Sequence, residues 1–323
     1  MVSPLKSERL LSILRCPACG GSVRLNGQDH LACGNCKKHY KLEDRTPIML
    51  SEDPPSLRFA CDPATEGPAG GIRDPRPTKS PSFLTRPTPR SERFYAWWWW
   101  RSFNRPLITD RTYLELLDRV PRGSIGLDLG SRQRVRDDAI TLDITPGANV
   151  DLVADGHELP FAGNTFDYIW CNAVLEHVPY PYRVASEIAR TLKCQGMAFI
   201  QVPFLEFVHG YPQDYFRFTV QGLRVLFDGM EEIAGGVSAG PGQVLADLLQ
   251  YYLTLFGDIQ RRALLPNVWC VVPGALLFPV RLLDYLLRGR SSYWQWARGY
   301  YFVARKPDAD FQIGTRFSPR GNT

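Results

Sequence analysis

Short apolar runs alternate with a helix-like segment in the second half of the chain, and this alternation constrains the fold more than any other feature. The runs are SIGLDL (124–129), AITLDI (139–144), FDYIWC (166–171) and GMAFIQV (196–202). Such runs are typical of strands buried on both faces. Val184, Ile188 and Leu192 recur every four residues between the last two runs, which indicates one face of a helix. Gly196 then suits a chain reversal. The pattern predicts an α/β fold with a doubly wound, mostly parallel sheet.

The ends of the predicted strands indicate where a ligand binds. Asp128, Gly130 and Asp143 fall at the carboxyl ends of two strands, which is where doubly wound sheets bind ligands. A nucleotide-binding loop usually has two or three glycines, but this one has only Gly130. Only twelve residues separate Gly130 from Asp143, so we expect the helix between these strands to be very short or absent.

Composition divides the chain into regions. We predict a small domain at 1–50, a proline-rich disordered linker at 51–92, a large domain at 93–306 with a helical insertion at about 241–290, and a flexible tail at 307–323. The linker is expected to uncouple the two domains. The net charge of +5 is compatible with RNA, anionic lipid or neither as partner. The first residues lack the apolar run of a signal peptide, so we expect a cytoplasmic protein with reduced thiols.

Four cysteines in the first region have the spacing of a metal site. Cys16, Cys19, Cys33 and Cys36 form two C-x2-C pairs separated by thirteen residues. Two such pairs supply the four thiolates of a closed tetrahedral zinc site, which has a structural rather than a catalytic role. The alternative is a pair of disulfides.

The order of motifs in the large domain resembles a known family. The segments GLDLG, LDI, ADGHELPF, FDYIWCNAVLEHV and EIARTLKCQG, within about 120–230, resemble the core of class I S-adenosylmethionine-dependent methyltransferases of type 11. The later block HGYPQDYFRFT suggests a subgroup with its own signature. The first region resembles the small zinc-ribbon proteins that are partner subunits of some methyltransferases, and RTPIML fits their closing strand.

This resemblance implies S-adenosylmethionine as cofactor and a set of cofactor contacts. Asp143 would accept hydrogen bonds from both ribose hydroxyls, and Asp155 would accept one from the adenine amino group. Asp128 and Gly130 would lie near the methionine part of the cofactor. Arg132 or Arg134 would reach the cofactor carboxylate, or would face solvent. The predicted cofactor-binding residues are Asp128, Gly130, Ser131, Asp143, Ile144, Asp155, Gly156, Leu159 and Asn172.

Candidate catalytic residues follow the fourth and fifth strands of the family pattern. His177 ends the LEH motif beside the expected methyl position, and His209 and Asp214 lie in the substrate loops, where a histidine near a carboxylate can act as a general base. The alternative is that these residues only shape the pocket.

Two apolar features suggest contacts beyond the cofactor. The run WWWW (97–100) is read either as part of a helix that covers the core or as an aromatic anchor for a membrane or substrate. The uncharged tract 263–280, flanked by Arg281 and other arginines, is interrupted by prolines, so it is read either as core or as a peripheral membrane surface rather than a spanning helix.

The sequence therefore predicts a methyltransferase acting on a small-molecule, lipid or glycan-precursor acceptor. One alternative is an RNA methyltransferase, although no stripe of Lys and Arg marks a nucleic-acid track. Another is a non-catalytic methyltransferase-like binding protein, which the single-glycine loop suggests. The oligomeric state is left open.

Overall fold

The computed structural model describes residues 8–27, 29–58, 110–130, 134–209, 213–258 and 268–308. Several predictions fall outside these residues: the role of Ser131 and Arg132, most of the linker, the tryptophan run 97–100, the first part of the apolar tract and most of the tail.

The first region folds as a helix followed by a small antiparallel sheet of order β1-β2-β3-β4. Its elements are α1 (Glu8–Ile13), β1 (Val23–Asn26), β2 (His30–Cys33), β3 (His39–Glu43) and β4 (Thr46–Pro47). The CxxC turns precede β1 and follow β2, and this arrangement fits a zinc ribbon. A 3-10 turn follows at Pro55–Leu57.

The large domain is built on a seven-stranded sheet within the described residues. Its elements are α2 (Thr112–Arg119), β5 (Gly126–Leu129), β6 (Ala139–Asp143), β7 (Leu152–Val153), β8 (Phe166–Asn172), α3 (Pro181–Thr191), β9 (Leu192–Pro203), α4 (Val220–Leu226), β10 (Glu231–Ala239), α5 (Pro241–Asp258), α6 (Val268–Leu282), α7 (Asp284–Leu287) and β11 (Gly299–Arg305). Short 3-10 turns lie at Leu175–His177 and Tyr293–Trp296.

The strand order confirms the predicted fold class. The sheet runs β10-β11-β9-β8-β5-β6-β7; β11 is antiparallel to both β10 and β9, and the other pairs are parallel. Successive strands after β5 first build one side of the sheet, through β6 and β7, and then the other, through β8 and β9. The resulting switch point lies between β5 and β8, and such a point opens a crevice at the carboxyl ends of the strands.

No helix forms at residues 134–138, between β5 and β6, as the short spacing predicts. Asp128 closes this shortened connection, because its Oδ2 accepts the backbone N–H of Val135 at 2.8 Å. This contact fixes the described part of the connection against the end of β5.

The helix between β8 and β9 buries the face that the sequence predicts. Val184 and Ile188 are fully buried, and Pro181 occupies the first turn, where its missing N–H costs nothing. The predicted chain reversal at Gly196 falls within β9, which begins at Leu192, but the pairing with β8 passes from Leu192 to Met197 and Gln195 has a φ of 62°, so the strand is irregular just before this glycine. A Cβ at Gly196 would lie within 3.1 Å of three backbone oxygens, so glycine is required there by close packing.

The zinc-ribbon region packs directly on the large domain. Leu10, Leu14 and Met49 are buried in one hydrophobic cluster with residues of the sheet. Met49 donates its N–H to the carbonyl oxygen of Val153 at 2.8 Å, so the region extends the sheet beyond β7. The expectation that a linker uncouples the two domains is therefore wrong, because their cores are continuous.

The helices α5 to α7 fall within the range predicted for the helical insertion and are joined by buried polar groups. Asp284 accepts the N–H of Gly242 at 2.7 Å and so caps the start of α5. Arg281, which flanks the apolar tract, is buried and donates to Gln243 at 2.7 Å. Among the described residues, no helix is both long enough and apolar enough to span a membrane.

Candidate functional site

A cleft opens at the carboxyl ends of β5 and β6, beside the switch point of the sheet. Its walls are mainly apolar, with a carboxylate, a hydroxyl and an imidazole at separate points. The lining residues are Ser56, Leu129, Gly130, Leu142, Asp143, Ile144, Ala154, Gly156, Ala173, Val174, His177 and Val178. Four of the residues predicted to bind a cofactor are thus brought together: Gly130, Asp143, Ile144 and Gly156.

Gly130 forms the turn that ends β5. Its φ of 73° lies in the left-handed region, and its N–H donates to the carbonyl of Leu142 at 2.7 Å. A Cβ at this position would lie 2.4 Å from Cγ2 of Val174, on the opposite wall. Both the backbone conformation and the available space therefore require glycine.

Asp143 stands at the end of β6 and is largely buried. Its Oδ1 accepts the backbone N–H and the hydroxyl of Thr145, both at 2.8 Å. These two hydrogen bonds fix the orientation of the carboxylate at the cleft wall.

Asp155 lies behind the cleft rather than in its lining. Its Oδ2 accepts the N–H of Ser56 at 2.8 Å, and its Oδ1 accepts the Ser56 hydroxyl at 2.8 Å. The Nδ1 of His157 lies 2.6 Å from the same Oδ1. Although burial raises the pKa of Asp155, the hydrogen bonds from His157 and Ser56 hold it below its usual value. The carboxylate thus anchors Ser56, a lining residue that the sequence interpretation assigned to the linker.

The remaining predicted contacts lie away from the cleft lining. Asp128 and Leu159 are buried below it, and Asn172 is exposed at the end of β8. Arg134 pairs with Asp151, at 2.7 Å from its Oδ2, so in this structure its guanidinium is held by a carboxylate of the sheet edge.

The predicted catalytic histidines meet at the other end of the cleft. The rings of His177 and His209 have centroids 5.1 Å apart and meet edge to face. Both Nε2 atoms approach Oε1 of Glu176, at 3.7 Å for His177 and 3.9 Å for His209. Burial raises the pKa of Glu176 to about 8 and lowers the pKa of His177. Sequence reasoning missed Glu176, although it directly precedes His177 in LEH.

Asp214 positions this group rather than facing the cleft. It accepts the N–H of His209 at 2.7 Å and forms a two-pronged ion pair with Arg217. Arg217 in turn donates to the carbonyl of Phe207 at 2.6 Å. The backbone at Phe207 and His209 is therefore held by charge-assisted hydrogen bonds.

The four cysteines of the first region converge as predicted. The Sγ atoms of Cys16 and Cys36 are 3.6 Å apart and those of Cys19 and Cys33 are 3.5 Å apart, well beyond the ~2.05 Å of a disulfide bond. Although burial opposes ionisation of Cys33, backbone N–H groups at Cys36 and Asn35 lower its pKa to about 6. Four sulfurs this close together fit a tetrahedral zinc ion.

Comparison with known proteins identifies the large domain. Residues 113–200, which include β5 to β8, the helix α3 and most of the cleft, match the family model described as a methyltransferase domain. Over these residues the match supports the methyltransferase resemblance that the motifs predict. No curated protein matches the chain.

Solved structures with a similar fold are distant. A Haemonchus contortus phosphoethanolamine N-methyltransferase 2 in complex with S-adenosyl-L-methionine is 16% identical, with a TM-score of 0.38; the match covers 70% of this chain and 60% of that one. A complex that contains the Haloferax volcanii Trm112 methyltransferase activator is 18% identical, with a TM-score of 0.39; coverage is 68% and 96%. Likenesses of this strength carry no conclusion about activity.

Replacing Gly130 tests how strictly the cleft depends on this turn. We expect Gly130→Ala to lower the free energy of unfolding by at least ~1–3 kcal/mol, because alanine is strained at this φ and its Cβ would contact Val174. Urea denaturation followed by circular dichroism measures the change. Gly156→Ala is the matched control, since a Cβ there has ordinary contacts at 3.6 Å. Equal stability of the two variants would contradict this account of the turn.

Proposed function

We propose that this protein is an S-adenosylmethionine-dependent methyltransferase that acts on a small-molecule, lipid or glycan-precursor acceptor. The observation that carries the proposal is the position of Asp143 and Gly130 at the switch point of a methyltransferase domain, in one mainly apolar cleft. Apolar walls with a few placed polar groups are the usual form of a cofactor site.

Different lining residues would contact different parts of the cofactor. Asp143 would accept the ribose hydroxyls, as acids at this strand end do in dinucleotide-binding sheets. Ile144, Ala154 and Val178 would cover the adenine ring, and the backbone at Gly130 would approach the methionine part. Bound S-adenosylmethionine supplies a methyl group on a sulfonium. The protein mainly aligns this group with the acceptor.

His177 and His209 would lie on the acceptor side. His177 lines the cleft, while His209 is partly exposed and adjoins it through the pair of rings. We propose that these histidines contact the acceptor and that Asp214 positions His209. An RNA acceptor remains the alternative within the same enzyme class, and a binding protein without activity is the alternative outside it.

The affinity of Asp143 variants for S-adenosylmethionine tests both the proposed cofactor and the proposed ribose contact. We expect isothermal titration to show S-adenosylmethionine binding by the wild type and at least tenfold weaker binding by Asp143→Ala, because each hydrogen bond to a charged group contributes ~1.5–3 kcal/mol. Asp143→Asn keeps the shape and should give an intermediate affinity. Circular dichroism checks that each variant is folded.

Absence of binding by the wild type at millimolar cofactor would refute the enzyme proposal. Wild-type affinity in Asp143→Ala would instead refute the assignment of the ribose contact. If the cofactor binds, salt-dependent retention of RNA would favour the RNA alternative.

We further propose that Cys16, Cys19, Cys33 and Cys36 hold one structural zinc ion. Because the zinc ribbon and the methyltransferase domain share a hydrophobic cluster, metal binding should stabilise both. The ion has no open coordination position and takes no part in methyl transfer.

Loss of one zinc ligand should therefore weaken the whole protein. We expect Cys33→Ser to lose the zinc and to lower the melting temperature of the methyltransferase domain as well, since unfolding of the ribbon uncovers its buried partners. Elemental analysis and calorimetry measure the two effects, and Cys194→Ser, at an exposed single cysteine, is the control. An unchanged methyltransferase transition in Cys33→Ser would show that the two parts are independent.

A lipid-linked acceptor is favoured by the surface of the helical insertion. Large apolar side chains are exposed on α5, α7 and the turn that follows, beside the exposed cations Arg288 and Arg290. They include Leu248, Tyr252, Leu283, Tyr285, Leu286 and Trp296. We propose a cytoplasmic protein that contacts anionic membranes peripherally through this surface.

Vesicle flotation tests this surface. We expect the wild type to float with anionic vesicles at low salt and Leu286→Asp to float several-fold less, because a charge would enter the apolar contact. Val225→Asp, at an equally exposed valine on α4, should leave flotation unchanged. A wild type that stays at the bottom of the gradient at low salt would remove the membrane proposal.

A further inference from the structure

Glu176 is a buried carboxylate in an unusual environment at the acceptor end of the cleft. Its side chain has no exposed surface, and neither oxygen has a hydrogen-bond partner among the residues that the structure describes. A buried ionisable group is costly unless a proton, a hydrogen-bond donor or a cation satisfies it. The Nε2 atoms of His177 and His209 lie 3.7 and 3.9 Å from its Oε1.

The two histidines present lone pairs rather than protons to this carboxylate. Nδ1 of His177 lies 2.5 Å from the carbonyl oxygen of Gln213, and Nδ1 of His209 lies 3.0 Å from that of Phe207. A carbonyl oxygen only accepts hydrogen bonds, so each neutral ring carries its proton on Nδ1 and leaves Nε2 as an acceptor. Metal-ligating histidines typically donate their second N–H in the same way.

Three acceptor atoms therefore lie close together, and within the described residues no hydrogen bond satisfies the two carboxylate oxygens. A proton on Glu176 could serve only one histidine, and separations of 3.7 and 3.9 Å exceed hydrogen-bond length. A cation between the three atoms would satisfy all of them at once.

The geometry is close to that of a three-ligand metal site. The three ligand atoms all lie within 4.8 Å of one another. With metal–ligand bonds of about 2.0–2.2 Å, tetrahedral ligands are separated by roughly 3.3–3.5 Å, so modest rotation of the partly exposed His209 would complete the set. Two imidazoles and one carboxylate suit zinc, cobalt, manganese or iron(II) better than magnesium or calcium.

We propose that Glu176, His177 and His209 form a divalent transition-metal site, separate from the four cysteines. Tyr215 donates its N–H to the carbonyl of Glu176 at 2.7 Å, which ties the His209 loop to the turn that carries the other two ligands. Asp214 and Arg217 are then positioning residues that hold the backbone of His209.

Three protein ligands leave a coordination position open. Because His177 also lines the cleft, this position would adjoin the proposed cofactor site. Resting on the proposed function, we infer that the open position takes an acceptor hydroxyl and lowers its pKa. The hydroxyl would release its proton to water, the oxygen lone pair would form the new C–O bond, and the electrons of the broken C–S bond would remain on the sulfur of the departing cofactor. The acceptor would thus be an oxygen nucleophile.

Cobalt binding to the full-length, zinc-loaded protein tests the site directly. We expect the wild type to bind one Co²⁺ per chain in addition to its zinc, with weak visible bands typical of nitrogen and oxygen ligands. Intense sulfur-to-cobalt charge-transfer bands would instead report replacement of the cysteine-bound zinc. Titration calorimetry gives the affinity.

Variants of the proposed metal ligands test whether Co²⁺ binds at this site rather than at other histidines. His209→Ala and Glu176→Gln should each bind Co²⁺ at least tenfold more weakly, whereas His39→Ala, at an exposed histidine of the zinc ribbon, should bind as the wild type does. His209 is partly exposed, so its truncation should leave the fold intact, and circular dichroism verifies this. Wild-type affinity in both ligand variants, or no second metal in the wild type, would overturn the proposal.

Cofactor binding is measured on the same samples. Asp143→Ala should retain Co²⁺ while it loses S-adenosylmethionine affinity, since the carboxylate lies outside the three-ligand cluster. A protein that binds Co²⁺ through these ligands but no S-adenosylmethionine would uphold the metal site and refute the proposed function.

Discussion

The pairing of the zinc ribbon with strand β7 is the contact on which the arrangement of the cleft depends. β7 is only two residues long, and a strand this short at a sheet edge holds few hydrogen bonds of its own. Met49 and Thr46 add hydrogen bonds to Val153 and Val150, which cover that edge. The chain just after β7 supplies Ala154 and Gly156 to the cleft, so the ribbon fixes one of its walls.

The same junction explains how a serine from the assigned linker reaches the cleft. Ser56 follows the ribbon and lies over Asp155, where its N–H and hydroxyl satisfy both carboxylate oxygens. His157 completes the group from the other side of the acid. A buried carboxylate with this many donors is stable in its charged form, so the cluster ties the ribbon, the edge of the sheet and the cleft together.

Most of the sheet could be predicted from sequence because its strands are buried on both faces. The runs at β5, β6, β8 and β9 and the buried face of α3 are local signals that need no knowledge of the partner surface. The four cysteines and the cleft residues Gly130 and Asp143 were found in the same way, from spacing and position at strand ends.

What the sequence did not reveal depends on contacts between distant segments. The sequence around Leu10 and Leu14 is equally compatible with the core of a small domain and with an interface. Only the structure shows that they pack against the large domain. Ser56 stood among prolines, where no periodicity indicates burial. Glu176 was not predicted from the LEH motif, because its burial depends on a loop that comes later in the chain and folds over it.

The short connection between β5 and β6 affects which charged groups the cleft presents to a ligand. A helix starting at this point would offer free backbone N–H groups and a partial positive charge to an anionic ligand. Here Asp128 accepts the N–H of Val135 instead, and Arg134 is held by Asp151. In the described part of the cleft, the polar groups available to a ligand are the fixed carboxylate of Asp143 at one end and the Glu176–His177–His209 group at the other. A cation bound by that group would place positive charge on the acceptor side of the cleft. In the described residues 134–138, no helix N-terminus supplies such charge.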